Sequence, residues 1–321
     1  MDNFIFSVNA TLPIFILMCL GYLFRKTGLV DLSFASAMNR FVFKIALPAM
    51  LFSDLAAQDF ASTWDGKYVL FCFAVTLVSI GIAALVAHFV VKERAERGEF
   101  VQVSYRSSAA ILGLAFIGSI YGESNTAMAP LMILGSVPLY NIFAVVVLTL
   151  SAEKGKTNKE PASGALLKKT LLGILKNPII LGIAAGLAWS LLRFPVWKVP
   201  DTVLTDLGRL ATPLGLIAMG ASFDPHAAKG QIGPAVLSAF IKLIGFAALF
   251  LPAAVALGFR DQQLVAIMVM LGSASTVSCY VMATSMGHEG TLTANTVMLT
   301  TAGCSFTLTF WLYILRSMGF I

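Results

Sequence analysis

Runs of about 20 mostly apolar residues recur along nearly the whole 321-residue chain, parted by short polar breaks. A helix rises about 1.5 Å per residue, so each run can cross roughly 30 Å of hydrocarbon. Backbone N–H and C=O groups facing lipid find no water, so runs of this kind dictate helices that satisfy their own hydrogen bonds. With 58% hydrophobic and 12% charged residues, against roughly 25% charged in a soluble domain, the chain is expected to be an all-α membrane protein.

Ten transmembrane helices are predicted, at 4–24, 37–56, 67–91, 104–122, 127–150, 171–192, 203–223, 231–257, 262–286 and 291–316. Asp2 stands where a signal peptide would carry positive charge, and no Ala-x-Ala follows, so the first run reads as a retained span. Placing the N-terminus outside gathers most of the 22 Lys and Arg, including Arg25, Lys26, Lys92, Arg94, Lys168 and Lys169, at inner loops and span edges. Cytoplasmic loops collect such residues, so both termini are expected outside and the net charge of +6 reflects topology, not a nucleic-acid partner. The run KERAERGE (92–99) reads as an inner loop, and SAEKGKTNKEPASGALLKK (151–169) as a solvated linker. Cys19, Cys72, Cys279 and Cys304 lie singly inside apolar runs without CxxC pairs or His clusters, so no disulfide framework, metal or cofactor is expected.

A shift of the chain by 165 residues places Pro13 on Pro178, Gly21 on Gly186, Lys44 on Arg209, Pro48 on Pro213 and Gly122 on Gly287. Proline and glycine are scarce enough for such matches at equal spacing to indicate an internal duplication. Five spans per copy is an odd number, so the second copy enters the membrane from the opposite side. The expected organisation is two inverted five-helix repeats, residues 1–150 and 171–321, joined by a cytoplasmic linker at 151–170. Inverted repeats point to secondary transport, with a site near the midplane where broken helices meet.

Several separated stretches carry a resemblance. KNPIILGIAAGLAWSLLRFP (176–195) and LGRLATPLGLIAMGASF (207–223) resemble the auxin efflux carrier family, as do LPIFILMCLGYLFRKTGLVD (12–31), FVFKIALPAMLFSDL (41–55), YVMATSMG (280–287) and VMLTTAGCSFTLTFWLYIL (297–315). The chain is most similar to the short bacterial branch associated with malonate and malate transport. The resemblance implies a protein of the bacterial cytoplasmic (inner) membrane. It also implies scaffold helices 1, 2, 6 and 7, and a transport domain of helices 3–5 and 8–10 that moves as an elevator. Spans 4 and 9 would be unwound where they cross, with the substrate anion beside the crossing. This chain departs from the family pattern there. Where relatives carry Pro-Asn and then Gly-x-Pro in span 4, it has Ser107 and Ser108, then Gly113, Leu114 and Ala115; the prolines of span 9 fall on Ala274 and Cys279.

Hydroxyl side chains can substitute for the hydrogen bonds an unwound helix loses, and glycine admits backbone conformations other residues resist. Ser107, Ser108 and Gly113 in span 4, with Ser273, Ser275, Thr276 and Ser278 in span 9, are therefore candidates for the crossing and for substrate contact. The alternative for each serine is a bond back to its own helix. A broken helix also points the N–H groups of its second half at the gap, which favours an anion. Arg106 can bind a carboxylate through two parallel bonds or serve as an inside-edge anchor. Lys242 lies near the midplane and must pair with an anionic substrate, backbone carbonyls or a carboxylate such as Asp54. Asn141 and Asn295 can reach the site or bond between helices.

No Asp or Glu lies deep in a predicted span. GIAAG (182–186) fits close packing within the chain or a homodimer through the scaffold helices. No P-loop, HExxH or paired intramembrane aspartate motif is present, so a non-enzyme is expected. The reading is a secondary transporter of small organic anions, mono- or dicarboxylates, in the lipid bilayer, with a proton or sodium ion as coupling partner. The rivals are a sodium-coupled carrier of the bile-acid type and a membrane sensor or scaffold without transport.

Overall fold

A computed structural model describes residues 2–57, 64–109, 116–118, 120–121, 128–152, 172–173, 175–195 and 197–321, with side chains from residue 12 onward. Among the described residues all regular structure is helical. Helix α1 (Asp2–Lys26) is followed by α2 (Leu32–Phe41), which runs through a π-turn (Val42–Ala46) into α3 (Leu47–Ala56). Next come α4 (Gly66–Val90), α5 (Arg94–Tyr105) and α6 (Met128–Ser151). The later part holds α7 (Pro178–Leu191), α8 (Lys198–Arg209), α9 (Ala211–Ser222) and the short α10 (Pro225–Gly230). It ends with α11 (Ile232–Ala256), α12 (Asp261–Gly272), α13 (Ser278–Ser285) and α14 (Thr291–Ser317).

The starts of these helices are written in the sequence. Asp31, Asp65, Asn177 and Asp224 each turn a side-chain oxygen to a backbone N–H of the first turn that follows, as N-caps do. The Asp31 carboxylate accepts from the Phe34 N–H at 2.7 Å, and that bond chiefly holds its pKa below the ordinary carboxylate value. Asp65 also accepts from the Gln263 amide at 2.7 Å, tying the start of α4 to α12.

Among the described residues α4, α6, α11 and α14 are each long and apolar enough to cross a membrane. Their bounds agree with the expected spans 67–91, 127–150, 231–257 and 291–316 to within one or two residues. They also repeat at nearly the sequence shift: α4 starts at Gly66 and α11 at Ile232, α6 at Met128 and α14 at Thr291.

The expected spans 104–122 and 262–286 differ from what is found. The helix of the first begins ten residues early, at Arg94, and already ends at Tyr105. The run 92–99, expected as an inner loop, is therefore largely helical; Lys92, Glu93 and Arg94 are exposed, while the charges after them are engaged by the protein. Arg97 Nε donates to the Val91 carbonyl at 2.9 Å, and Glu96 accepts from the Gln231 amide. Glu99, only 2% exposed, accepts from Gly290 N at 2.9 Å, Thr293 N at 3.1 Å and Thr293 Oγ1 at 2.8 Å. Its carboxylate thus caps the positive end of α14 from another helix. The span 262–286 is two helices, α12 and α13, with residues 273–277 unwound between them. The linker expected at 151–170 lies almost wholly outside the described residues.

Glycines set the closest approaches. On α1 and α9, Gly21 faces the backbone of Ile217, and Gly220 faces that of Met18. On α7, a Cβ at Gly186 would stand 2.8 Å from the Phe52 carbonyl oxygen of α3, and one at Gly182 only 2.6 Å from that of Pro48. The GIAAG stripe is therefore occupied by packing within the chain. The pair Gly21 and Ile217 corresponds to the pair Gly186 and Phe52 when each member is moved by 165 residues in opposite directions.

Overpacking a closely packed helix pair costs about 1–3 kcal/mol. Gly186→Leu is thus expected to lower the thermal unfolding midpoint in detergent, whereas Gly81→Leu, where an added Cβ meets nothing within 4 Å, leaves it unchanged.

Candidate functional site

The helix α12 is buried from Leu264 to Gly272 and ends in the middle of the molecule, packed by α6, α11 and α14. Beyond it the chain is extended at Ser273 (φ −81°, ψ 165°) and resumes as helix at Ser278. Helix α5 ends in the same way, with Arg106 extended (φ −71°, ψ 137°) and residues 106–108 unwound. The two unwound stretches touch: Ser108 N donates to the Ala274 carbonyl at 2.9 Å.

A helix end leaves four carbonyls without partners, and each costs several kcal/mol if it stays unpaired away from water. The structure supplies substitutes. The last helical bonds are Arg106 N to the Gln102 carbonyl at 3.1 Å in α5 and Ser273 N to the Val269 carbonyl at 3.0 Å in α12. Beyond them, Ser275 Oγ donates to the Val103 carbonyl of α5 at 2.7 Å. The Lys242 ammonium, 0% exposed, donates to the carbonyls of Leu271 at 2.7 Å and Met270 at 3.1 Å. Two further bonds fix the second break: Ser275 N to Thr300 Oγ1 of α14 at 3.1 Å, and the Gln102 amide to the Cys279 carbonyl at 2.9 Å.

Arg106, 3% exposed, spans the crossing. Its Nη2 donates to Asn141 Oδ1 at 3.0 Å and to Ser278 Oγ at 2.8 Å, and Nη1 faces Met282 Sδ at 2.8 Å. Its Nε is buried without a partner. Asn141 is held by its own amide, which donates to the Val137 carbonyl at 2.9 Å. Beside it Ser107 Oγ and Tyr140 Oη stand 3.2 Å apart. The guanidinium therefore contacts neutral groups only, and among the described residues the one ion pair is the exposed Arg209–Asp206 contact on α8.

Two adjoining cavities open against this arrangement. One, of about 50 Å³, is bounded by Arg106, Ser107, Ser108, Asn141, Thr276 and Ser278 with Tyr140, and on its far side by Leu47, Met50 and Leu51 of α3. The other, of about 230 Å³, shares Met50, Ser108, Thr276 and Ser278 and reaches Ile14 of α1, Thr212 of α9 and Thr301 of α14. No Asp or Glu lines either cavity among the described residues. The arrangement offers one buried cation, several hydroxyls and an apolar opposite wall, which suits a small anion with a carbon skeleton.

Of the residues singled out in the sequence, Arg106, Ser107, Ser108, Asn141, Ser275, Thr276 and Ser278 are brought to these cavities. Ser273 stays at the break with its hydroxyl buried and unpartnered. Lys242 does not line either cavity, since its ammonium is engaged by the end of α12. Asn295 bonds instead to the Ala228 carbonyl of α10 at 3.0 Å. Gly113 lies outside the described residues. Sequence reasoning missed Tyr140, Gln102, Thr300 and Glu99. Tyr140 stands next to Asn141 and Thr300 lies in the run TTAG, but neither position carries a local mark of its partner.

Buried breaks, a caged cation and paired cavities thus lie among helices long and apolar enough to cross a membrane. The model of the membrane transport protein family matches residues 6–312, and the chain belongs to that family, the auxin efflux carriers. It is 21% identical to an uncharacterized transporter of Methanocaldococcus jannaschii, with 96% of this chain and 98% of the relative covered. It is 22% identical to an uncharacterized transporter of Methanothermobacter thermautotrophicus over 75% of this chain and 76% of that one. A third match, 22% identical over 73% of this chain, spans only 27% of the lysosomal cholesterol signaling protein of Mus musculus.

A buried carbonyl left unpaired costs about 1–3 kcal/mol. Ser275→Ala, which strips the Val103 carbonyl of its partner, is expected to lower the unfolding midpoint, while Ser273→Ala, whose hydroxyl is unpartnered, leaves it in place. Differential scanning fluorimetry of the two purified variants checks both.

Proposed function

We propose that the protein is a secondary carrier of small organic anions, mono- or dicarboxylates, across the bacterial cytoplasmic membrane with both termini outside. The observation that carries this reading is Arg106: a buried guanidinium with no carboxylate partner among the described residues, lining a cavity where two helices are broken. A buried charge must be compensated, and an entering carboxylate does so through charge-assisted bonds.

The transport mode rests on the same geometry. The repeated helix bounds and the matched pairs Gly21 with Ile217 and Gly186 with Phe52 support two inverted copies of one five-helix plan. The cavities lie between α1, α3 and α9 on one side and the two breaks on the other. In an elevator the breaks travel with the anion while α1, α2, α3, α7, α8 and α9 stay fixed. Sliding of this kind needs a thin interface, and the walls facing the breaks are the apolar side chains of Leu47, Met50 and Val42.

Uptake into proteoliposomes tests the reading with malonate, malate, succinate and an aromatic carboxylate as probes. Saturable flux of at least one is expected. Arg106→Ala is expected to cut it at least tenfold, since hydrogen bonds to a charged group are worth about 1.5–3 kcal/mol each, with Arg106→Lys retaining part. Saturable flux unchanged in Arg106→Ala removes Arg106 from the site; no flux of any probe defeats the carrier reading. That last outcome favours a sensor without transport, the reading suggested by the name of the mouse relative.

A further inference from the structure

Lys242 is a charge the proposed transport site does not use. It sits in a π-turn of α11 (Ile241–Gly245), an irregularity that costs helical hydrogen bonding and is often kept for a purpose. Its side chain is buried completely, and its ammonium donates to two of the last four carbonyls of α12, those of Met270 and Leu271. No carboxylate pairs with it among the described residues. The nearby titratable groups are the thiols of Cys279 and Cys304. On the same helix end, Ser273 carries a buried hydroxyl without a partner.

Carbonyl oxygens at a helix C-terminus carry partial negative charge and attract cations. Converging backbone carbonyls are also the means by which proteins hold monovalent cations stripped of water. An ammonium is a compact point charge with three donors, and it can occupy such a place as a small ion would. We propose that the end of α12 is a monovalent-cation site, formed by the Met270 and Leu271 carbonyls, which the chain fills with its own lysine. The tether makes the cation permanent: the broken end of α12 keeps its countercharge in every conformation in which α11 and α12 remain packed. Lys242 is then a positioning residue, holding the last turn of α12 at the crossing without touching the transported anion.

Removal of the tethered cation should leave a vacant site of the same chemistry, which a small soluble cation refills. The test uses the full chain in detergent, as wild type, Lys242→Ala, Lys242→Met and Lys242→Arg. Unfolding midpoints are read against rising ammonium, methylammonium or sodium chloride, with N-methyl-D-glucamine chloride keeping ionic strength constant. Lys242→Ala is expected to unfold at lower temperature than wild type and to regain part of the difference saturably with methylammonium or ammonium. The wild-type midpoint should not respond to the exchange. Lys242→Met, apolar and of similar length, should be destabilised and unresponsive. A Lys242→Met midpoint equal to wild type overturns the proposal, because no cation is then needed, and so does a Lys242→Ala midpoint that no cation shifts. Should Lys242→Ala fail to yield folded protein, the comparison of Lys242→Arg with Lys242→Met decides: charge retained must preserve the midpoint and charge lost must lower it. The readout is stability, so it stands or falls independently of whether any anion is carried.

Discussion

A helix broken inside a membrane protein releases backbone groups where no water can reach them, and the structure is organised around meeting that demand twice. At α5 and α12 released carbonyls are taken by the Ser275 hydroxyl and the Lys242 ammonium. None of these donors is a proline or needs one. Prolines break helices by withholding a donor and by steric conflict; here helix is given up where competing donors reward the extended form. That requirement forces burial. Each donor must come from packed protein, so α12 is enclosed by α6, α11 and α14, and its apolar length is covered on all sides.

Burial on that scale needs backbones to approach closely, and glycine allows it. Gly182 and Gly186 bring α7 onto α3, while Gly21 and Gly220 bring α1 onto α9. In lipid the hydrophobic effect does not distinguish a neighbouring helix from acyl chains, so such contacts rely on van der Waals fit between small residues. The same device joins the helices around the breaks, where Gly98 brings α5 onto α6 at Val147 and Gly135 brings α6 onto α4 at Val69. The cavities lie between Met50 and Thr276.

Much of this was legible in the sequence, and what was not has a common cause. Apolar runs gave α4, α6, α11 and α14 to within two residues, since length and hydropathy are local properties. Hydroxyl clusters marked both breaks correctly, even with the expected prolines absent. The beginning of α5 was misplaced because charge in a sequence reads as solvent, whereas Glu99 is matched by Gly290 and Thr293, some 191 and 194 positions away. Tyr140 and Thr300 escaped notice for the same reason. For Lys242 the sequence leaves substrate, backbone carbonyls and a carboxylate open, and the structure selects the carbonyls of Met270 and Leu271.

The two buried cations differ in what surrounds them, and the difference bears on the proposed entry of an anion. Both breaks come at helix C-termini, whose partial negative charge would repel an incoming carboxylate. Lys242 meets that charge at the end of α12 and lines neither cavity. Arg106 follows the end of α5 directly and turns its guanidinium across to Ser278, the first residue of α13. Lys242 is thus engaged by a helix end, whereas Arg106 keeps its charge at the cavity among neutral polar groups: Ser107, Ser108, Asn141, Thr276 and the hydroxyl of Ser278. Removing a carboxylate from water is favourable only where its charge meets donors already in place and no opposing dipole. In the proposed carrier the first condition rests on the donors of Arg106 and its neighbouring hydroxyls, and the second on Lys242 at the end of α12.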